Sequence, residues 1–295
     1  MLGLIASILV LVTAGGVIAV IARHPAGSTV RAGRGAARGG QKQGAIGAEA
    51  VTRNQASSWI AHEVSRDAIV SCDPLMCQAL EARGIPAGDL LVLRPGAPDP
   101  LGAELVVATA AVRSQFGSRL ATVYAPTVLA SFGTGNGAIA VLVIAPDGAR
   151  AYDAALSADV QAREVVGAHL GHNKRITVAA PAARQLAAGD VDSRLLGLLA
   201  TLATLNRLHI AAFGDSGPGA SAGVPLRSVD LAAPRDAPWT GQSAYVGSVL
   251  AFLRAQVPPY LAASVGPVPT GSGQTVLRIT FSAPSIPGLL PRKPS

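Results

Sequence analysis

The chain has 295 residues, of which 49% are hydrophobic and only 14% charged, so it carries ample material for buried cores and a length that suits two domains. Its net charge of +7 does not mark a nucleic-acid binder, because the excess is confined to one stretch. Arg23, Arg31, Arg34, Arg38, Lys42 and Arg53 are opposed only by Glu49, whereas from Asn54 onward 18 basic residues face 16 acidic ones. A basic stretch beside an apolar one meets anionic headgroups rather than bases, so no nucleic-acid partner is expected.

The first element is Leu2–Ala22, LGLIASILVLVTAGGVIAVIA. An uncharged run of about 20 residues spans a hydrocarbon core of ~30 Å at ~1.5 Å per residue, and a helix satisfies its own backbone there. Residues 1–22 are therefore predicted to be a transmembrane anchor, with the lipid bilayer as partner of residues 2–22. A cleaved signal peptide and a buried core helix are the alternatives. No basic residue precedes the run, which argues against the signal peptide, and a polar stretch follows at once, which argues against the core helix. Residues 23–53, with PAGS, GRG, ARGG and QKQGA, read as a flexible basic linker. The positive-inside rule would put that linker, and the body after it, in the cytoplasm. The cysteine pair argues for the outside, and the outside is the expectation taken forward.

From Asn54 the pattern becomes periodic. Trp59, Ile60 and Val64 have helical spacing, with Asn54 as a plausible cap. AIVSC is a short strand, PLMCQALEARG a helix ended by Gly84, and DLLVL and ELVVATA are further strands. AVRSQFGSRLATVYA reads as helix. TVLASFG and AIAVLVIAP flank Gly-Thr-Gly-Asn as a hairpin would. Alternating strands and helices predict a mostly parallel sheet, so residues 54–150 are expected to form a Rossmann-like, three-layer α/β domain. Residues 151–290 are expected to form a second α/β or α+β domain. Its elements are a helix over 154–173, the strand RITVAA, a buried helix capped by Asp192, strands LHIAAFG and PLRSVDLA, an amphipathic helix stopped at Pro258-Pro259, and the closing strand QTVLRITFSAP.

Both cysteines lie in SCDPLMC. With Asp73 as helix cap and Pro74 at the first helical position, Cys72 and Cys77 occupy the two positions that touch in a hydrophobic staple. A disulfide can replace that staple if the Cβ atoms approach to about 4 Å, and it persists only in an oxidising compartment. A reduced buried pair and a redox site, acidified by the helix N-terminus, are the alternatives. The C-x-x-x-x-C spacing departs from the redox C-x-x-C.

The string Gly-Asp-Ser-Gly at 214–217 imitates a serine-protease nucleophile, but Ser216 is excluded as one. Such a serine needs a base and an orienting carboxylate; the His62 stretch reads as helix, and the surrounding pattern is not all-β. Turn formation by Asp215, Ser216, Gly217 and Pro218 explains the string. GTGNG at 133–137 lies between two strands, not between strand and helix, so it is no dinucleotide loop. His169 and His172 share a helix face but lack further ligands, and His24 and His209 stand alone, so no metal or other cofactor is expected. Asp99 and Glu104 fall near carboxyl ends of strands, where open α/β sheets bind ligands; Asp73 could join them in a crevice.

Gly84, Ile85, Pro86, Val106, Val107, Thr109 and Arg113, with Ala130, Ser131, Phe132, Gly133 and Gly135, carry a resemblance. Over about residues 54–146 the chain resembles the extracytoplasmic α/β domain at the C-terminus of actinobacterial membrane glycosyltransferases of the protein-mannosyltransferase type. The second half resembles uncharacterised actinobacterial membrane-anchored proteins. The resemblance implies an extracytoplasmic domain and transfers no catalysis, because those enzymes act through a multi-pass region that this chain lacks. The cysteine pair is a departure from that domain. No catalytic set is expected. The expectation is a membrane-tethered extracytoplasmic binding or scaffold protein of the envelope, partnered by an envelope glycan or a membrane protein. The alternative is an envelope enzyme or glycosyltransferase accessory acting on a glycan or glycolipid. Its candidates, Asp73, Asp99, Arg113, Arg194 and Asp215, would have to meet in one cleft.

Overall fold

The computed structural model describes residues 36–214 and 217–291. It is a mixed α/β structure with two five-stranded sheets. The apolar run 2–22 lies outside the described residues, and among those described no helix is long and apolar enough to cross a membrane.

The first sheet contains β1 (Val70–Cys72), β2 (Leu90–Val92), β3 (Leu105–Ala108), β4 (Thr127–Phe132) and β5 (Ile139–Val143), ordered β2-β1-β3-β5-β4. β2, β1 and β3 are parallel, while β5 runs antiparallel to both β3 and β4. The mostly parallel expectation therefore holds for three strands only. The β4–β5 hairpin, turned at Gly135–Gly137 as GTGNG predicts, adds two antiparallel strands. Such a tight connection permits nothing else, since parallel neighbours need a long crossover.

Burial on both faces explains why the parallel strands read as continuous apolar runs. Leu105 and Val107 pack with Ala56, Trp59 and Ile60 of α1 (Ala36–Glu63) and with Met76, Cys77 and Leu80 of α2 (Pro74–Glu81). Val106 and Ala108 face the opposite way, toward Val112 and Phe116 of α3 (Ala110–Phe116) and toward the π-helical turn Leu120–Tyr124. The single helix expected over 111–125 is thus two pieces, broken at Gly117. α1 corrects a second expectation. Helix begins at Ala36 rather than at Asn54, so residues 36–53 are not flexible linker. Ala36, Ala37, Gln41, Gln43, Ala45 and Ala48 are compatible with helix, and their lack of an apolar stripe hid it.

α4 (Ala149–Gly171) leads into the second sheet and packs against the π turn as well as against α5 (Ala180–Ala187) and α6 (Ser193–Leu205). The strands are β6 (Ile176–Val178), β7 (Leu208–Gly214), β8 (Ser228–Ala232), β9 (Ser264–Pro269) and β10 (Thr275–Thr280), ordered β6-β7-β8-β10-β9. Only β6 and β7 are parallel. Leu195, Leu196, Leu198, Leu199 and Leu202 of α6 are all buried, with α7 (Ala244–Arg254) packed on the same core, whereas β7 and β10 expose His209, Ala212 and Arg278. Helices therefore cover one face of this sheet. α5 and β9 escape sequence reading: α5 has the alanine-rich sequence APAARQLA, and β9 carries Pro267 and Pro269. Those prolines suit an edge strand, whose outward N–H groups need no partner.

Residues Gln43–Ser295 make one compact unit, in which backbone pairing stitches the sheets together. A strap from the β7–β8 connection lies along the β4 edge: Ser131 N–H donates to Gly219 O at 2.9 Å and Ser221 N–H to Leu129 O at 2.8 Å. The segment after β10 pairs with the end of α1, with Ser65 N–H to Ala283 O at 2.9 Å and Ala283 N–H to Glu63 O at 2.6 Å. The strap closes an edge that would otherwise offer unpaired strand groups to other chains.

Candidate functional site

The sequence-derived residues come first. Cys72 and Cys77 form a disulfide with Cα atoms 5.5 Å apart, in the staple positions that the Asp73 cap sets. Asp73 Oδ1 accepts from the N–H groups of Leu75 (3.0 Å) and Met76 (3.2 Å), and Oδ2 accepts from Thr109 Oγ1 at 2.5 Å. Its carboxylate thus ties the N-termini of α2 and α3 together at the carboxyl ends of β1 and β3, the crevice where open α/β sheets bind ligands. Here that crevice is closed by the protein's own groups.

Arg113 is equally committed. Nη1 donates to Ala108 O (2.6 Å) and Ala138 O (2.7 Å), and Nη2 to Asn136 O (2.8 Å), so it braces the hairpin turn. Asp99 Oδ1 accepts from Leu101 N–H at 3.0 Å, a local turn contact. Arg194 sits in the other half, where Nε and Nη2 hold Asp192 at 3.0 and 2.8 Å, Nη2 also reaches Ser282 O at 2.8 Å, and the guanidinium lies 5.0 Å from the Phe281 ring centre. Asp215 and Ser216 lie outside the described residues. The four described candidates are spent on internal contacts, Asp73 and Arg113 both at the start of α3 and Arg194 in the other half. His169, His172 and His209 are exposed, and no metal-holding group of ligands occurs among the described residues.

Burial raises the Asp192 pKa, but the hydrogen bonds and charge of Arg194, with help from the Ser285 hydroxyl, outweigh it and hold the carboxyl below its ordinary range. This is an ionised, paired interior group. Asp159 and Arg163 make a second buried pair at 2.9 Å, and Asp159 also accepts from Ser193 Oγ and Gly288 N–H, both at 2.9 Å. These networks anchor the C-terminal segment to α4 and α6.

A cleft lies elsewhere, between the end of α1, the rim of β4 and the strap. A cavity of about 560 Å³ is walled by Gln55, Ser58, Trp59, Phe132 and Pro218, within the size range of small-ligand sites. A second hollow of about 430 Å³ continues over the open face of the second sheet, past Ser264, Arg278 and Thr280. The two share His62, Glu63 and Gly217. Helical spacing puts Trp59, His62 and Glu63 on one side of α1. Trp59 packs against Phe132 with ring centres 6.3 Å apart.

The charges in this trough are already balanced. Glu63 Oε2 is 3.4 Å from Arg227 Nη2. Arg278 meets Asp230 through two hydrogen bonds of 2.7 Å, which push its pKa further upward. The two tryptophans differ. Trp239 donates its indole N–H to Leu231 O at 2.7 Å, whereas the buried Trp59 N–H has no hydrogen-bond partner among the described residues. Sequence reading missed this site because its walls come from residues about 55–63, 131–133, 217–219 and 264–282. The one signal in the sequence was a tryptophan spaced three and four residues from a His-Glu pair.

The chain matches no protein-family model, no curated protein and no solved structure.

Proposed function

We propose that this chain is a membrane-tethered, extracytoplasmic binding or scaffold protein of a bacterial envelope, held in the bilayer by residues 2–22 and binding its ligand in the trough beside Trp59. The observation that carries the reading is the Cys72–Cys77 disulfide. A bonded pair of this kind belongs to an oxidising compartment, and the apolar run 2–22 supplies the means of staying beside it. The Rossmann-like reading of residues 54–150 and the likeness to a glycosyltransferase-linked extracytoplasmic domain belong to the same proposal. The parallel β2-β1-β3 set with helices on both faces supports them. The commitment of Asp73, Asp99, Arg113 and Arg194 to internal contacts favours binding over catalysis.

The test is alkylation of protein isolated natively from the envelope, followed by mass spectrometry. The expected result is that neither cysteine is alkylated until a reductant is added. Two alkylated thiols without reductant would contradict the reading. The same disulfide predicts a stability effect. Closing so short a loop contributes about 2 kcal/mol by chain entropy, so the Cys72→Ala/Cys77→Ala double variant should lose that much in urea unfolding while keeping its circular dichroism.

A further inference from the structure

We infer that the hollow between the C-terminal ends of α1 and α2 is a second binding site, which takes a small apolar molecule carrying one carboxylate. It is separate from the trough and goes beyond the proposed function, on which it does not rest.

The hollow measures about 230 Å³. It lies where the last turn of α1, the turn that follows it and the loop after α2 meet at the start of β1. Ala61, Val64, Ile85 and Pro86 give it an apolar wall, and Arg66 and Arg83 line it as well. Both arginines are exposed, and neither has an ion pair or a hydrogen-bonded side-chain partner among the described residues. Arg278 is the contrast, exposed too but held by Asp230. No acidic residue lines the hollow among those described. Asp67 and Glu81, close by in sequence, form no ion pair with either arginine.

Charge decides the sign of the ligand. A helix C-terminus carries the equivalent of roughly −0.5 charge, and two such ends converge here. They offset about half of the two guanidinium charges and leave an excess of about +1. Helix ends therefore account for one arginine and not for both. One carboxylate completes the balance, and the planar guanidinium fork matches its two oxygens. An ammonium would be repelled. Size decides the rest. A hollow of about 230 Å³ falls below the roughly 300–1,000 Å³ of drug-sized sites, so one ring or a short aliphatic chain fits against the apolar wall and an oligomer does not.

The experiment uses the full chain in phosphatidylcholine nanodiscs, read by calorimetry against empty nanodiscs. The probes are benzoate, hexanoate, benzyl alcohol and benzylammonium. At least one carboxylate should bind saturably, about tenfold more tightly than benzyl alcohol, and benzylammonium should not bind. Raising the ionic strength from about 0.05 M to about 0.5 M should weaken the binding. Arg66→Gln and Arg83→Gln should each weaken it about fivefold, the scale of one exposed charge pair, and the double variant should bind neither carboxylate while keeping its melting temperature. Arg235→Gln, at an exposed position outside the hollow, should leave binding unchanged. Benzyl alcohol binding as tightly as the carboxylates would overturn the proposal. So would carboxylate binding that survives the double substitution, a loss as large at Arg235 as at Arg66 or Arg83, or no binding of either carboxylate. Membrane topology and the state of the cysteines enter none of these outcomes.

Discussion

Asp192→Ala should cost about 3–5 kcal/mol of stability, the loss typical of breaking a buried ion pair from one side. Asp192 caps α6, accepts from Arg194 N–H at 2.8 Å, pairs with the Arg194 guanidinium and receives the Ser285 hydroxyl at 2.5 Å. Removing the carboxylate leaves Arg194, 4% exposed, as an unpaired charge in the interior. It also removes the Ser285 hydrogen bond that ties the segment after β10 to the start of α6. The effect depends on pH with a definite sign. The folded-state pKa is depressed, so the contribution is fully present above the unfolded value of ~3.9 and is lost as pH falls through the folded value. Urea unfolding at pH 7 should therefore separate wild type from variant widely, and the gap should narrow below about pH 4. A loss under 1 kcal/mol at pH 7 would mean that the pair is not an anchor.

Gly167→Ala should cost about 2–3 kcal/mol, although the same change on an open helix is stabilising. Gly167 lies on α4 where α5 crosses it, and a Cβ there would fall 2.1 Å from Leu186 O and 2.8 Å from Leu186 C. Both are backbone atoms, so no side chain can swing aside and the helices must separate, which is overpacking against a rigid neighbour. Gly247 on α7 is the internal control, because nothing lies within 4 Å of its Cβ position. Gly247→Ala should gain up to about 1 kcal/mol from helix propensity. Opposite signs for the two variants in one denaturation series check the packing of α4 on α5. A gain at both positions would show that the two helices are not in that contact.

Local chemistry was legible in the sequence. The Asp73 cap, Pro74 at the helix start and the staple spacing of Cys72 and Cys77 all involve neighbours within one turn, and all appear in the structure. The Asp192 cap and the GTGNG turn are of the same kind. Long-range pairing was not legible. That β5 inserts between β3 and β4, or that Ser221 reaches Leu129, depends on which edges remain open once the sheets form, and no local pattern encodes it. Burial of charge misled for the same reason. Asp73, Arg113 and Arg194 look like candidates for chemistry in a sequence, and their partners at residues 109, 136–138 and 282 become visible only in three dimensions. The trough at Trp59 is the converse case. Its residues are ordinary one by one and acquire meaning only where α1, β4, the strap and β10 converge.

The side of the membrane on which the body stands is the claim from which the rest follows. Its most direct measurement is protease treatment of intact cells carrying the full chain with a C-terminal tag. The account predicts that the tag is lost while a cytoplasmic control protein survives. A tag that persists while an outer-surface control is digested would contradict it.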